Sequence, residues 1–311
     1  MLEIRHHGEE VVIPAPHQRD MKSVAITGVT GFVGAHLAHA FSNAGWQVSG
    51  LSRSGRGTLA QSDLPVHRFD LRDAKRPKLP SVDVLIHCAI DPYRSRDGDA
   101  ASNNVDGSRR LFTAAREQGI GKIVFISSFA ARQTTSSHYG REKFLVEQFL
   151  GEHDLILRPG LVVGNGGLFR AMFDSVRRMR CAPLFLGGRQ PLYPISVDDL
   201  ACSTVSLTER DADGTYTLAA STPVPMNELY RALAALAGVR IMLVPLPYAP
   251  TLWLVERLER LGLTLPIASG SLRGIPSMRH VDVPSYTGAG LSIRPFATLM
   301  SDPHLRAELN A

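Results

Sequence analysis

Cysteine is scarce: the 311 residues contain 3, at Cys88, Cys181 and Cys202. So few, so irregularly spaced, exclude a disulfide framework and a cysteine zinc site, and they fit a chain working in a reducing cytoplasm. Long apolar runs are missing too. None reaches the roughly 18 to 20 residues of a membrane span, and the nearest, Ile241 to Val255, is broken by Pro245, Pro247 and Pro250. Residues 1–20 carry charges and histidines but no apolar signal-peptide core, so they read as an extension before the first strand. His6, His7 and His17 lack fixed ligand spacing, which favours a poorly ordered tail over a metal site, and no metal is expected elsewhere. A concentrated basic surface is also absent. The net charge of +5 suits anionic ligands, but the tight cluster Arg177, Arg178 and Arg180 has no interleaved aromatics, which excludes a nucleic-acid binder. Internal repeats and low-complexity segments are lacking, and 44% hydrophobic content describes an ordinary soluble globule.

What is present is a strand, a glycine turn, a helix and a second strand between Ser23 and Ser52. The apolar run Val24-Ala25-Ile26 leads into Thr27-Gly28-Val29-Thr30-Gly31-Phe32-Val33-Gly34. Gly28 allows the sharp turn, Gly31 lets backbone approach a pyrophosphate, and Gly34 lets the helix lie close to the sheet. The helix N-terminus then offers free N–H groups and a positive dipole end to phosphate. A second strand that ended in a carboxylate would hold the ribose hydroxyls of NAD(H) and repel a 2′-phosphate. Ser52 and Arg53 stand there instead and suit that phosphate, so NADP(H) is favoured and NAD(H) stays possible. Arg53 and Arg56 also fit plain solvated loop charges.

Further strands follow at Val66 to Leu71, Val82 to Ala89 and Lys122 to Ile126, with a helix from Ala101 to Gln118. Asp70 is suited either to an adenine amino group, with Leu71 on the ring face, or to capping the next turn. Ala89 is small enough to admit a nicotinamide ribose, while His87 reads as a satisfied core histidine. Ser127 and Ser128 arrive at the carboxyl end of a strand, where open α/β sheets bind ligands. Tyr139 and Lys143 are spaced i, i+4 on one helix face, which brings an ammonium toward a phenol and lowers its pKa from about 10. A lowered phenol can serve as general acid and base, although a surface tyrosine beside a surface lysine has the same spacing. Beyond the strand Leu155 to Arg158 and the Pro159-Gly160 stop, the alternation loosens. Helices are expected at Leu168 to Met179, from Val197, at Pro225 to Ala237 and near Pro250 to Leu261, with a strand at Gly214 to Ala219 and an irregular stretch at Pro183 to Pro194.

Four signals in one order, TGVTGFVG, Ser127-Ser128, Tyr139-Gly140-Arg141-Glu142-Lys143 and Val197-Asp198-Asp199-Leu200-Ala201, resemble the extended short-chain dehydrogenase/reductases, the NAD-dependent epimerase/dehydratase family. The resemblance covers about residues 21 to 235. It implies a Rossmann-type doubly wound parallel sheet over 21–160, with a smaller C-terminal substrate lobe over 161–311 from which about 194–220 returns to the first. It also implies that Tyr139 is the acid/base and that Lys143 holds the nicotinamide ribose. Asn104 would brace that lysine or a water near it. Gly28, Gly31, Phe32 and Val33 would lie along the pyrophosphate, Asp70 and Leu71 at the adenine, and Ala89 and Pro159 beside the nicotinamide.

Departures from the family pattern bear on the substrate. Phe129 replaces the last of three serines, leaving Ser128 to hydrogen-bond the reacting oxygen. Leu161 stands where the epimerases carry a substrate-holding asparagine, and Leu192 near where they carry a diphosphate-binding arginine, with Arg189 nearby but offset. Their loss points to a less polar small molecule than a sugar nucleotide, because diphosphates need charge-assisted donors. Leu246, Tyr248, Leu252, Trp253 and Val255 suit an apolar pocket or, alternatively, the core. The expected activity is hydride transfer between NADP(H) and an alcohol or carbonyl carbon of a sugar-nucleotide-like or less polar small molecule, as reductase, dehydrogenase or epimerase. The alternative is a non-catalytic dinucleotide-binding subunit like the family's atypical members of respiratory complex I. The family also suggests a homodimer through the helices of Asn104 and Tyr139.

Overall fold

Strands made of alternating small and β-branched residues bury both faces when helices cover them on both sides, and the chain from Ser23 onward is built this way. The computed structural model describes Leu2–His6, Glu9–Ile13 and residues 22–55, 64–91, 99–263, 269–278, 283 and 291–311; His7, His17 and Arg56 lie outside them. β1 (Leu2–His6) and β2 (Glu9–Ile13) pair antiparallel, Leu2 opposite Ile13 and His6 opposite Glu9. That hairpin corrects the expectation of a tail: Ile4, Val11, Val12 and Ile13 are β-branched and favour paired, extended backbone.

Strand and helix then alternate through β3 (Ser23–Thr27), α1 (Phe32–Asn43), β4 (Gln47–Ser52), β5 (Val66–Arg68), β6 (Val84–His87), α2 (Asp99–Glu117), β7 (Lys122–Ile126), α3 (His138–Glu147) and β8 (Leu155–Pro159). Next come β9 (Leu161–Val163), α4 (Gly167–Met179), β10 (Cys181–Leu184), β11 (Pro191–Leu192), β12 (Pro194–Ser196), α5 (Val197–Glu209) and β13 (Gly214–Leu218). The described remainder is β14 (Val224–Pro225), α6 (Met226–Leu236), β15 (Met242–Pro245), α7 (Tyr248–Arg260), α8 (Ser269–Gly274), α9 (Phe296–Met300) and α10 (Pro303–Asn310).

The central sheet has 7 strands in the order β13-β8-β7-β6-β3-β4-β5, and every pair is parallel. From β3 the chain winds outward to β4 and β5, then returns to β6 on the other side. This reversal opens a crevice at the carboxyl ends of β3 and β6, the place where such sheets take ligands. Alternate residues face opposite cores. Val24, Ile26, Val124 and Ile126 pack with Leu37 and Phe41 of α1 and Leu200 of α5. Ala25, Leu85, Ile123 and Phe125 pack with Leu111 and Phe112 of α2 and Val146 of α3.

A separate core joins Phe169 and Phe173 of α4 to Leu229 and Leu233 of α6, with Leu299, Leu305 and Leu309 of the last two helices. Leu161 and Leu192 are partly buried against this core. The stretch expected to be irregular, Pro183 to Pro194, takes in the end of β10, which pairs parallel with β15, and the whole of β11, which pairs antiparallel with β14. Arg294 ties the end of the chain to the start of α5: its guanidinium reaches Asp199 Oδ1 and Ser196 Oγ, each at 2.8 Å. α7 has no fully buried residue: Tyr248, Leu252 and Val255 are partly buried, as is Leu246 before it, while Trp253 is 60% exposed and lies outside the core. No helix among the described residues is long and apolar enough to cross a membrane.

Candidate active site

The glycine turn sits at the switch point. Gly28 has φ +68°, and a Cβ there would come within 2.9 Å of Ala89 Cα. A Cβ on Gly34 would stand 2.2 Å from Gly28 O, so α1 can rest on the turn only with hydrogen at that position. No side chain caps α1: Gly31 occupies the N-cap with an extended backbone and no side-chain hydrogen bond. The first N–H groups of α1 are thus left to an anion. Val33 is partly buried against the core, and Phe32 lies beneath Gly164 and Gly166, where a Cβ would meet its ring at 2.6 and 2.4 Å. The glycines thus let the turn, β6 and α1 pack closely, and the uncapped N–H groups of α1 suit a dinucleotide pyrophosphate.

A chain of buried hydrogen bonds fixes the β6 end against this turn. Ser108 Oγ donates to Asn104 O at 2.6 Å, so its oxygen is left to accept from His87 Nε2 at 2.8 Å. Thr27 Oγ1 accepts the N–H groups of Cys88 and Ala89, both at 3.1 Å, so its proton goes to His87 Nδ1 at 2.8 Å. His87 therefore carries its proton on Nε2, a tautomer assigned from these partners. Burial holds its pKa down to about 3, so it stays neutral, a strut linking β3 to α2. Sequence reasoning read His87 as a satisfied core residue, and it is one.

At the end of β7 the two serines separate by partner. Ser127 gives its hydroxyl to Glu147, which also holds Arg158. Ser128 is only partly buried, accepts from Ala130 N at 3.2 Å and lies close enough to the Tyr139 phenol to pull its pKa down. Ser137 caps α3, which presents Tyr139 and, one turn on, Lys143. The expected lowering of the tyrosine pKa is corrected. Tyr139 keeps 38% of its surface exposed, yet the protein packed around its hydroxyl raises its pKa above 10.0, with Ser128 opposing. Lys143 Nζ lies 6.0 Å from the Tyr139 ring centroid and donates to Ile126 O at 2.7 Å. Burial instead draws the lysine down to about 8.

Asn104 does not meet Lys143 directly. Its Oδ1 accepts from Asp91 N at 2.7 Å and its Nδ2 reaches Glu142 Oε2 at 3.2 Å. Glu142, which sequence reasoning left out of the site, is 6% exposed, and its Oε1 has no hydrogen-bond partner. Burial raises its pKa to about 7, with Lys143 opposing. A cavity of about 10 Å³, room for one water, lies among Ala89, Asn104, Tyr139, Glu142 and Lys143. The signal available in the sequence was a carboxylate inside the Tyr139 to Lys143 repeat.

On the adenine side Ser52 is buried and Arg53 exposed at the end of β4. Asp70 Oδ1 accepts from Arg72 N at 3.0 Å, as a turn cap does, and Leu71 is buried in the core beneath α2. Arg72 grips Asp91 with two hydrogen bonds, 2.7 and 2.6 Å. This holds the Asp91 carboxyl below its ordinary range, and the charge of Arg53 adds to the effect. Pro159 O accepts from Phe129 N at 2.9 Å across the β7 and β8 ends. The Phe129 ring stacks on Tyr193 at 4.8 Å, with Val283 in the same apolar cluster. Among the described residues no group of His, Cys, Asp or Glu could hold a metal ion.

Sheet order, glycine turn and uncapped helix define a Rossmann-type dinucleotide-binding fold. The model of the NAD dependent epimerase/dehydratase family matches residues 24–169. A ceramide reductase of Caulobacter vibrioides (strain NA1000 / CB15N) is 30% identical over 244 residues, 72% of this chain and 73% of that protein. The chain belongs to the NAD-dependent epimerase/dehydratase family. The crystal structure of gox2253 shares the fold with a TM-score of 0.71 and 24% identity, over 93% of this chain and 98% of that one. A Dictyostelium discoideum NADH dehydrogenase [ubiquinone] 1 alpha subcomplex subunit 9 is 24% identical over 218 residues, 66% of this chain and 58% of that subunit.

Proposed function

We propose that this chain is an NADP(H)-dependent oxidoreductase acting on an alcohol or carbonyl carbon of a weakly polar small molecule. One observation carries the reading: a phenol, Tyr139, set close to Ser128 and one helical turn from a buried ammonium, Lys143, near the glycine turn. When bound, the nicotinamide supplies the hydride. Tyr139, its pKa raised by burial, donates a proton to the reacting oxygen as the hydride arrives. Ser128 donates a second hydrogen bond to that oxygen as charge develops on it. Lys143 holds the nicotinamide ribose, its ammonium anchored by donation to Ile126 O. Ser52 and Arg53 receive the 2′-phosphate, in keeping with the absence of a carboxylate on either residue.

The substrate reading rests on Phe129, stacked with Tyr193, and on Leu161 and Leu192, turned into a core. Leaving a diphosphate against these groups would strand its charges without donors. A non-catalytic, dinucleotide-binding subunit role is the second reading, favoured by the likeness to an NADH dehydrogenase subunit of Dictyostelium discoideum; it would leave Tyr139 and Lys143 without use. Tyr139→Phe tests the proposal. Turnover of carbonyl substrates with NADPH should fall by about a thousandfold while NADPH affinity holds. Unchanged turnover would remove Tyr139 from the chemistry.

A further inference from the structure

α7 inverts the usual rule for a surface helix. Residues three and four apart share a helix face, and Ala249, Pro250, Trp253, Leu254, Arg257, Arg260 and Leu261 fall on one, all exposed. Trp253 is 60% exposed, Leu254 50% and Leu261 78%, and Leu263 just beyond the helix 51%. The Arg257 guanidinium lies over the Trp253 ring, 5.6 Å from its centroid. The two carboxylates of α7 point elsewhere. Glu256 accepts from Arg273 of α8 at 2.8 and 3.1 Å, and Glu259 accepts from Ser269 N at 2.9 Å. Among the described residues the outer face therefore combines apolar and aromatic groups with positive charge alone, on a chain whose net charge is +5.

A tryptophan, leucines and arginines on one exposed helical face match an acyl boundary below and phosphate headgroups above. We propose that the outer face of α7 docks the protein on an anionic lipid surface, with Trp253, Leu254 and Leu261 entering the headgroup boundary and Arg257 and Arg260 pairing with lipid phosphates. The contact is peripheral, and it is independent of the redox reading, since no residue of the candidate active site takes part. A second copy of the chain is the competing occupant. Charge argues against it, because a two-fold contact would bring Arg257 and Arg260 of each copy against like charges.

Vesicle flotation tests the idea with the intact chain. Binding is expected to phosphatidylcholine vesicles containing phosphatidylglycerol but not to phosphatidylcholine alone, and it should weaken with salt. Arg257→Gln with Arg260→Gln should reduce binding roughly thirtyfold. Trp253→Ala with Leu254→Ala should abolish it, and circular dichroism melts of all variants should match the parent, because nothing on this face is buried. Equal binding to neutral and anionic vesicles, no binding to either, or a concentration-dependent dimer lost on Trp253→Ala would each overturn the proposal.

Discussion

At the end of β6, the buried polar groups His87, Ser108 and Thr27 all find partners; on the outer face of α7, Trp253, Leu254 and Leu261 stay exposed. His87, Ser108, Thr27 and Asn104 hand hydrogen bonds from one to the next in the interior, whereas Trp253 and Leu254 face outward. Buried polar networks tolerate no missing member, since each orphaned donor or acceptor costs its full desolvation. An exposed helix face carries no such penalty and is free to serve contacts outside the molecule. Substitutions should therefore act in opposite ways in the two regions: through folding and cofactor at the sheet edge, through association alone on α7.

The sharpest break should come at Gly34. Gly34→Ala places a methyl 2.2 Å from Gly28 O, so dinucleotide binding should vanish and urea unfolding should report a loss of at least about 3 kcal/mol. Parental affinity and stability in that variant would mean the turn has slack. Next in size, His87→Leu removes the strut between Thr27 and Ser108 and should cost about 3 kcal/mol by the same measurement. At Arg53 only the cofactor should respond. Arg53→Ala is expected to weaken NADPH about ten- to a hundredfold and leave NADH nearly unchanged in calorimetric titration; equal losses would defeat the phosphate assignment.

Glu142 gives a smaller effect with a defined sign. Its folded pKa, about 7, lies above the ordinary 4.5. The stability it contributes is present below about pH 4.5 and drains away as the pH rises through about 7. Glu142→Gln cannot titrate, so parent and variant melts should diverge over that window, the variant ending higher by about 2 to 4 °C. Parallel melting curves would show that the carboxylate is solvated after all. At the bottom of the scale, Leu261→Ser on the α7 face should move stability by no more than about 0.5 kcal/mol; a larger loss would mean that this face is packed.

Much of the site was legible because its geometry leaves the sequence few alternatives. A sharp turn off a strand with a helix resting on it requires glycine at Gly28 and Gly34, and a phenol one helical turn from an amine is written directly as Tyr139 and Lys143. The serine assignment was half legible. Two adjacent hydroxyls look alike in sequence, and the fold divides them by sending Ser127 to Glu147, twenty residues on, and Ser128 to Tyr139. The tyrosine pKa was misjudged because spacing along a helix sets proximity but not desolvation, which depends on everything packed around the hydroxyl.

The sequence by itself determined the local conformations: where glycine permits a turn, where alternating apolar residues make strands covered on both faces, and which residues carry chemistry. Tertiary structure decided what those residues meet. Arg294 closing on Ser196 and Asp199, β10 pairing with β15, His87 strung between Thr27 and Ser108, and an unpartnered oxygen on Glu142 all join residues far apart in the chain or depend on burial. The physical reason is that backbone preference is a property of a few neighbouring residues, while desolvation and pairing belong to the packed whole.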